Sequence, residues 1–180
     1  MISALLLAKS SSNRLPNKNT LDFHGKPMWQ VNTEKCFQLF DRVYVSTDSF
    51  TIFKQALLLG ADAIIRDESL CGDTPNIPVY QHALKHMKPT PTAIVAVQVN
   101  SPNIDPKVIE AVKALLERGY EEVMTCHEDY RIYGSVWGLS TERLQVYGDP
   151  YHPMPSSLIV DTSIDIHTKE DYDKAISITT

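Results

Sequence analysis

Seven short apolar runs punctuate the chain, and between them apolar positions recur at helical spacing. ISALLLA (2–8) is nearly unbroken, as expected of a strand covered on both faces. RVYVS (42–46), DAIIR (62–66), AIVAVQV (93–99), EVMTC (122–126), SVWGL (135–139) and SLIV (157–160) read as further strands. PMWQVNTEKCFQLF sets Met28, Val31, Phe37 and Phe40 on roughly one helical face. SFTIFKQALLLG does the same with Ile52, Phe53, Ala56 and Leu57, and Gly60 ends it. PVYQHALKHM gives Val79, Tyr80, Ala83, Leu84 and Met87. DPKVIEAVKALLERG is the clearest period: Asp105 caps, Pro106 opens the first turn, Val108, Ile109, Val112, Leu115 and Leu116 face inward, and Gly119 stops it. A last helix opens at Thr168, with Asp171 three residues on, and turns Tyr172, Ala175 and Ile176 inward. Alternation of this kind predicts βαβ units and a mainly parallel sheet. No interdomain linker interrupts it, and YGDPYHPMPSS (147–157) is expected to be a loop or extended arm.

The 180 residues suffice for one domain with a substantial core. A net charge of −5 argues against a general nucleic-acid surface but leaves room for one small anion pocket. Cys36, Cys71 and Cys126 are far apart and form no CxxC pair, so reduced thiols in or near a core are expected, which fits a cytoplasmic setting. The N-terminus lacks the pattern of a signal peptide, and no apolar run approaches a membrane span.

One stretch breaks the ordinary mixing of charges. AKSSSNRLPNKN (8–19) follows the first strand at once, with three cations, one proline and no acid. Ligands of open α/β sheets bind beyond the carboxyl ends of the strands, and this loop lies there. Its backbone N–H groups and hydroxyls, with Lys9, Arg14 and Lys18, offer the convergent donors and positive charge that phosphates require. The loop contains no glycine, so it is neither GxxxxGK[ST] nor GxGxxG. On these grounds alone a solvated polar loop stays the alternative.

LLLAKSSSNRLPNKN resembles the first motif, IPARxGSKRLPxKN, of the acylneuraminate cytidylyltransferases and their relatives. Four further stretches, in order, resemble that family: VYVSTDS (43–49), IIRDESLCGDTP (64–75), VQVNSPNIDPKVIEAV (97–112) and SIDIHTKEDYDKA (163–175). The resemblance implies a three-layer α/β/α Rossmann-like nucleotidyltransferase fold with a mainly parallel mixed sheet. It implies transfer of CMP from CTP to an acidic 2-keto sugar with release of pyrophosphate, assisted by Mg²⁺ with Mn²⁺ as the alternative. CTP and an acidic sugar would be the partners, with neither nucleic acid nor membrane.

Residue by residue, the resemblance assigns Lys9, Arg14 and Lys18 to the triphosphate as catalytic cations. Lys9 stands where the family has arginine, Asn13 where it has lysine, and Ser11 where it has glycine. Ala8, Ser12 and Asn19 complete the nucleotide loop. Arg66 matches the arginine that reads cytosine, and Asp73, Thr74 and Asn76 close over base and ribose. Gln98, Asn100 and Ser101 face the sugar, although Asn103-Ile104 departs from the family's Leu-Arg. Asp165 and His167 match the metal-binding DID, with histidine in place of the second aspartate. Residues 128–162 correspond to a reduced dimerisation or substrate arm within a single domain over 1–180. A homodimer is compatible with that, and His127, Tyr130, Arg131, Tyr133 and His152 are candidates for the sugar side. Three readings stay open at this point: an active cytidylyltransferase, a noncatalytic nucleotide- or sugar-binding relative with a degenerate site, and a same-fold enzyme using another base or acceptor.

Overall fold

A computed structural model describes residues 1–10, 12, 14–72, 74–148 and 154–178. Seven strands form one sheet in the order β5-β4-β1-β6-β8-β7-β9. They are β1 (Ile2–Leu7), β4 (Val43–Thr47), β5 (Asp62–Ile65), β6 (Ala93–Val97), β7 (Glu122–Cys126), β8 (Ile132–Ser140) and β9 (Ser157–Val160). Only β8 runs antiparallel to its neighbours β6 and β7, while the remaining pairs are parallel. The sheet is therefore mixed and mainly parallel. A two-stranded hairpin, β2 (Asp22–Phe23) with β3 (Lys26–Pro27), follows the first loop.

Side chains alternate along β1 and sort the core into two halves. Ala4, Leu6 and Ala8 pack with Trp29, Cys36, Ile52, Ala56, Ile109, Val112 and Leu116 of α1 (Met28–Phe37), α2 (Phe50–Leu59) and α4 (Pro106–Glu117). Leu5 packs on the other face with Tyr80, Ala83, Leu84 and Leu144 of α3 (Asn76–His86) and α5 (Thr141–Gln145). The result is the three-layer α/β/α arrangement. β8 and α4 approach so closely that a Cβ on Gly138 would stand 2.6 Å from Val112 Cγ1 and 2.9 Å from a Leu116 methyl.

The end signals of the helices act as the sequence predicts. Asp105 accepts from Lys107 N at 2.9 Å, Gly60 closes α2 at φ 100°, and Thr168 and Asp171 form a reciprocal capping box at the head of α6 (Lys169–Ser177). The faces of two helices differ from the periodic reading. In α1, Asn32 and Thr33 are buried, while Val31 and Phe37 are only partly so. Asn32 packs on a loop whose carbonyls take its amide hydrogens, and Thr33 returns its hydroxyl to Trp29 O of its own helix at 2.8 Å. In α2, Leu57 is half exposed, and the inward positions are Ile52 and Ala56. Within 128–162, most described residues belong to β8, α5 and β9 of the main layer, and 149–153 lie outside the described residues. All three cysteines are unpaired, with Cys36 and Cys126 buried. Among the described residues, no helix is long and apolar enough to cross a membrane.

Candidate active site

A cavity of about 500 Å³ opens beyond the carboxyl ends of β1, β5 and β6, where ligands of such sheets bind. Four separate stretches form its wall. Lys9, Ser12, Arg14, Lys18 and Asn19 come from the loop after β1, and Arg66, Gly72, Thr74 and Asn76 from the segment after β5. Gln98, Val99 and Asn100 follow β6, and His167 closes the ring.

Backbone and side-chain bonds hold the first loop in place. Asp48 accepts from Ser10 N at 2.6 Å, and Asn19 Nδ2 donates to the Lys9 carbonyl at 2.9 Å. Lys9 Nζ donates across the cavity to Gly72 O at 3.3 Å. Lys18 is 8% exposed and donates to Ile166 O at 2.8 Å. Burial pushes its pKa below the ordinary lysine value; Asp165 opposes that, and Arg14 and Lys9 add to it. Three cations that repel one another around one hollow favour a polyanion inside it.

Arg66 is 7% exposed, and its guanidinium is anchored rather than swinging. Nε donates to Ser46 Oγ at 3.0 Å and Nη2 to Ser46 O at 2.8 Å. Burial lowers its pKa from the arginine norm, against the pull of Asp48, Cys71 and Tyr80. Thr74 Oγ1 donates to Cys71 O at 3.1 Å and so folds the segment back on itself. Asp73 lies outside the described residues, as do Ser11, Asn13 and His152.

Opposite the cations, Asp165 uses both carboxylate oxygens. Oδ1 accepts from Asn100 Nδ2, and Oδ2 meets His167 Nε2 at 2.5 Å. Asp171 accepts from His167 N at 3.0 Å, tying the pair to the cap of α6. No three His, Cys, Asp or Glu side chains converge to hold a metal among the described residues. A cation beside Asp165 and His167 would therefore draw its other ligands from a bound phosphate. Such a donor set fits Mg²⁺, which commonly takes one or two carboxylates plus substrate phosphates. The imidazole departs from the all-oxygen set that Mg²⁺ prefers and shifts the site towards a transition metal.

Three of the described sequence-assigned residues are not part of the wall: Asp165, Ala8 and Ser101. Ala8 is fully buried, and its N–H donates to Ser46 O at 3.0 Å. Ser101 is fully buried, with its hydroxyl bonded to Tyr133 OH. Burial drives Tyr133 well above the ordinary tyrosine pKa, with its bond to Ser101 opposing that shift. The sequence reading gave no role to Ser46, Asp48 or Asn32, all of which hold wall segments in position. VSTD contains the first two, but nothing in a single sequence says which side chains turn back on the backbone.

Residues 3–142 match the profile of the family described as cytidylyltransferase. This chain is a cytidylyltransferase family member. An N-acylneuraminate cytidylyltransferase of Danio rerio is 31% identical over 129 residues, covering 69% of this chain and 30% of that protein. The chain spans half or less of the length of the curated relatives it matches. Among solved structures, CMP:2-keto-3-deoxy-manno-octonic acid synthetase complexed with CTP superposes with a TM-score of 0.78 at 15% identity, covering 98% of this chain and 97% of that one. A Mycobacterium tuberculosis protein in complex with manganese gives 0.73 at 16% identity, covering 98% and 99%. At those identities the likeness carries the nucleotidyltransferase fold.

Proposed function

We propose that this cytidylyltransferase family member transfers CMP from CTP to an acidic 2-keto sugar and releases pyrophosphate. One observation carries the reading: Lys9, Arg14 and Lys18 face one cavity together with Arg66, Gln98 and Asn100. In the reaction, the anomeric hydroxyl oxygen of the sugar bonds to the α-phosphorus. The bond from that phosphorus to the α–β bridging oxygen breaks, pyrophosphate leaves, and the hydroxyl proton passes to solvent. Little covalent chemistry falls to the protein in such a transfer, so positioning and charge neutralisation dominate. The three cations bind the triphosphate and stabilise the charge that builds on the leaving pyrophosphate. Arg66, held edge-on by Ser46, reads the base, with Thr74 and Asn76 around it and Ser12 and Asn19 at the phosphates. Gln98 and Asn100 meet the sugar, supported from behind by Ser101.

Asp165 and His167 would hold the divalent cation. When bound, that cation would neutralise part of the charge on the phosphates. The relatives' names support an acidic sugar as a class, since they cover N-acylneuraminate, 3-deoxy-manno-octulosonate and pseudaminic acid. The test is pyrophosphate release from each of CTP, UTP, ATP and GTP, with a panel of nonulosonic and ulosonic acids, in Mg²⁺ and in Mn²⁺. Release is expected with CTP and at least one acid, at a higher rate in Mn²⁺. No release with any acid, or equal release from all four nucleotides, would overturn the reading.

A further inference from the structure

The segment after β6 has no regular structure, yet five of the seven carbonyls in 98–104 have partners. Asn100 O accepts from Ile166 N at 2.8 Å. Four others meet two side chains of α1, and two of these four, Gln98 O and Ser101 O, also accept from Ser101 N at 3.4 Å and Ile104 N at 3.2 Å. Asn32, fully buried, donates both amide hydrogens, to Gln98 O at 2.8 Å and Ser101 O at 2.9 Å. Lys35 donates to Pro102 O at 2.5 Å and to Ile104 O at 2.9 Å. The two donors are one helical turn apart and so share a face. Buried carbonyls without partners are costly, so this face fixes the path of residues 98–104.

We propose that Asn32 and Lys35 are positioning residues for the acceptor side of the site, acting through the backbone of 98–104 on Gln98 and Asn100. The inference rests on the cytidylyltransferase reading for its kinetic consequence and on geometry alone for its structural one. Neither side chain lines the cavity. Neither holds the cation loop after β1, whose tethers are Asp48, Asn19 and Ile166. The clamp reaches the cation loop indirectly, through Asn100, which bonds Asp165 and Ile166, so its effect is larger on the acceptor side than on CTP.

The experiment compares the full chain with Lys35→Met, which keeps the apolar stem and loses the donors, and with Lys35→Arg, which restores them. Backbone hydrogen exchange is read by peptide over 98–104 and over the sheet. In Lys35→Met, exchange over 98–104 is expected to rise about tenfold, as for loss of a charged hydrogen bond, with β1 and β4 unchanged. KM for the acidic sugar is expected to rise by a similar factor and KM for CTP by clearly less, and Lys35→Arg recovers most of both. Unchanged exchange over 98–104, a rise spread over the whole sheet, or equal rises in both KM values would each overturn the proposal. If the wild-type chain transfers to no acidic sugar, the functional reading fails, and the exchange comparison still decides the clamp.

Discussion

Replacing Lys18 by methionine separates the cost of keeping a buried cation from its use. Among its protein neighbours the ammonium is desolvated, repelled by Arg14 and Lys9, and compensated by Asp165 and its bond to Ile166 O. A hydrogen bond from a charged donor is worth roughly 1.5–3 kcal/mol, and the relieved burial and repulsion offset most of its loss. Stability without ligand should therefore move by no more than about 1 kcal/mol. With a triphosphate bound, one unit charge at 4 Å in an effective dielectric of 20 contributes about 4 kcal/mol of Coulomb attraction. Allowing for solvent reorganisation, a net loss near 2.7 kcal/mol raises Kd about 100-fold. At a CTP concentration of 100 times the wild-type Kd, ligand stabilisation is about 2.7 kcal/mol and falls to about 0.4 kcal/mol in the variant. For a chain of this size that is a Tm shift of roughly 5–11 °C reduced to about 1–2 °C. Thermal melts with and without CTP measure both quantities. A CTP-induced shift that survives Lys18→Met intact would refute the assignment of this cavity to the triphosphate.

Two further outcomes concern stability. Gly138→Ala drives a methyl against Val112 and Leu116; overpacking of this kind costs about 1–3 kcal/mol, and the apo melt should fall by several degrees. Lys35 gives a pH signature. Burial pushes its pKa down to about 8, opposed by Cys36 on α1, Asp105 at the head of α4 and Asp161 beyond β9. Between pH 8 and the ordinary lysine value near 10.5, the unfolded chain binds more protons at this residue than the folded one. The Lys35 contribution to stability thus rises with pH through that window, by up to about 3 kcal/mol. Cys36 works the other way, because burial raises its pKa to about 12 and folded thiol is retained where unfolded thiolate forms. Denaturant melts from pH 7.5 to 10 on wild type and Lys35→Met, taken as a difference, isolate the lysine. A flat difference would contradict its burial.

Much of the fold was legible because the strands are short, apolar and bounded by strong punctuation. Asp105-Pro106 and the Thr168/Asp171 box act as written. The hairpin at 22–27 and the five-residue α5 were not legible, since neither is long enough to show a period. β8 extends the apolar SVWGL core to 132–140 through Ile132, Tyr133 and Gly134, whose pairing with β7 includes an irregularity that no local pattern announces. Within the site, the side chains that face the hollow were found through motif resemblance and the charge of the loop. The ones that hold its frame were not. Asn32 and Lys35 look like the polar face of an amphipathic helix, and only the backbone of 98–104 opposite them makes them interior groups. Ser101 shows the converse: a motif position that turns away from the cavity to meet Tyr133.

The bond from Lys18 to Ile166 joins residues 148 apart in sequence. Loop-closure entropy grows only slowly with the length of chain enclosed, so a bond of this span costs little more to close than a far shorter one. A single buried contact thereby ties the loop after β1 to the segment ahead of α6, and two remote parts of the chain share one wall.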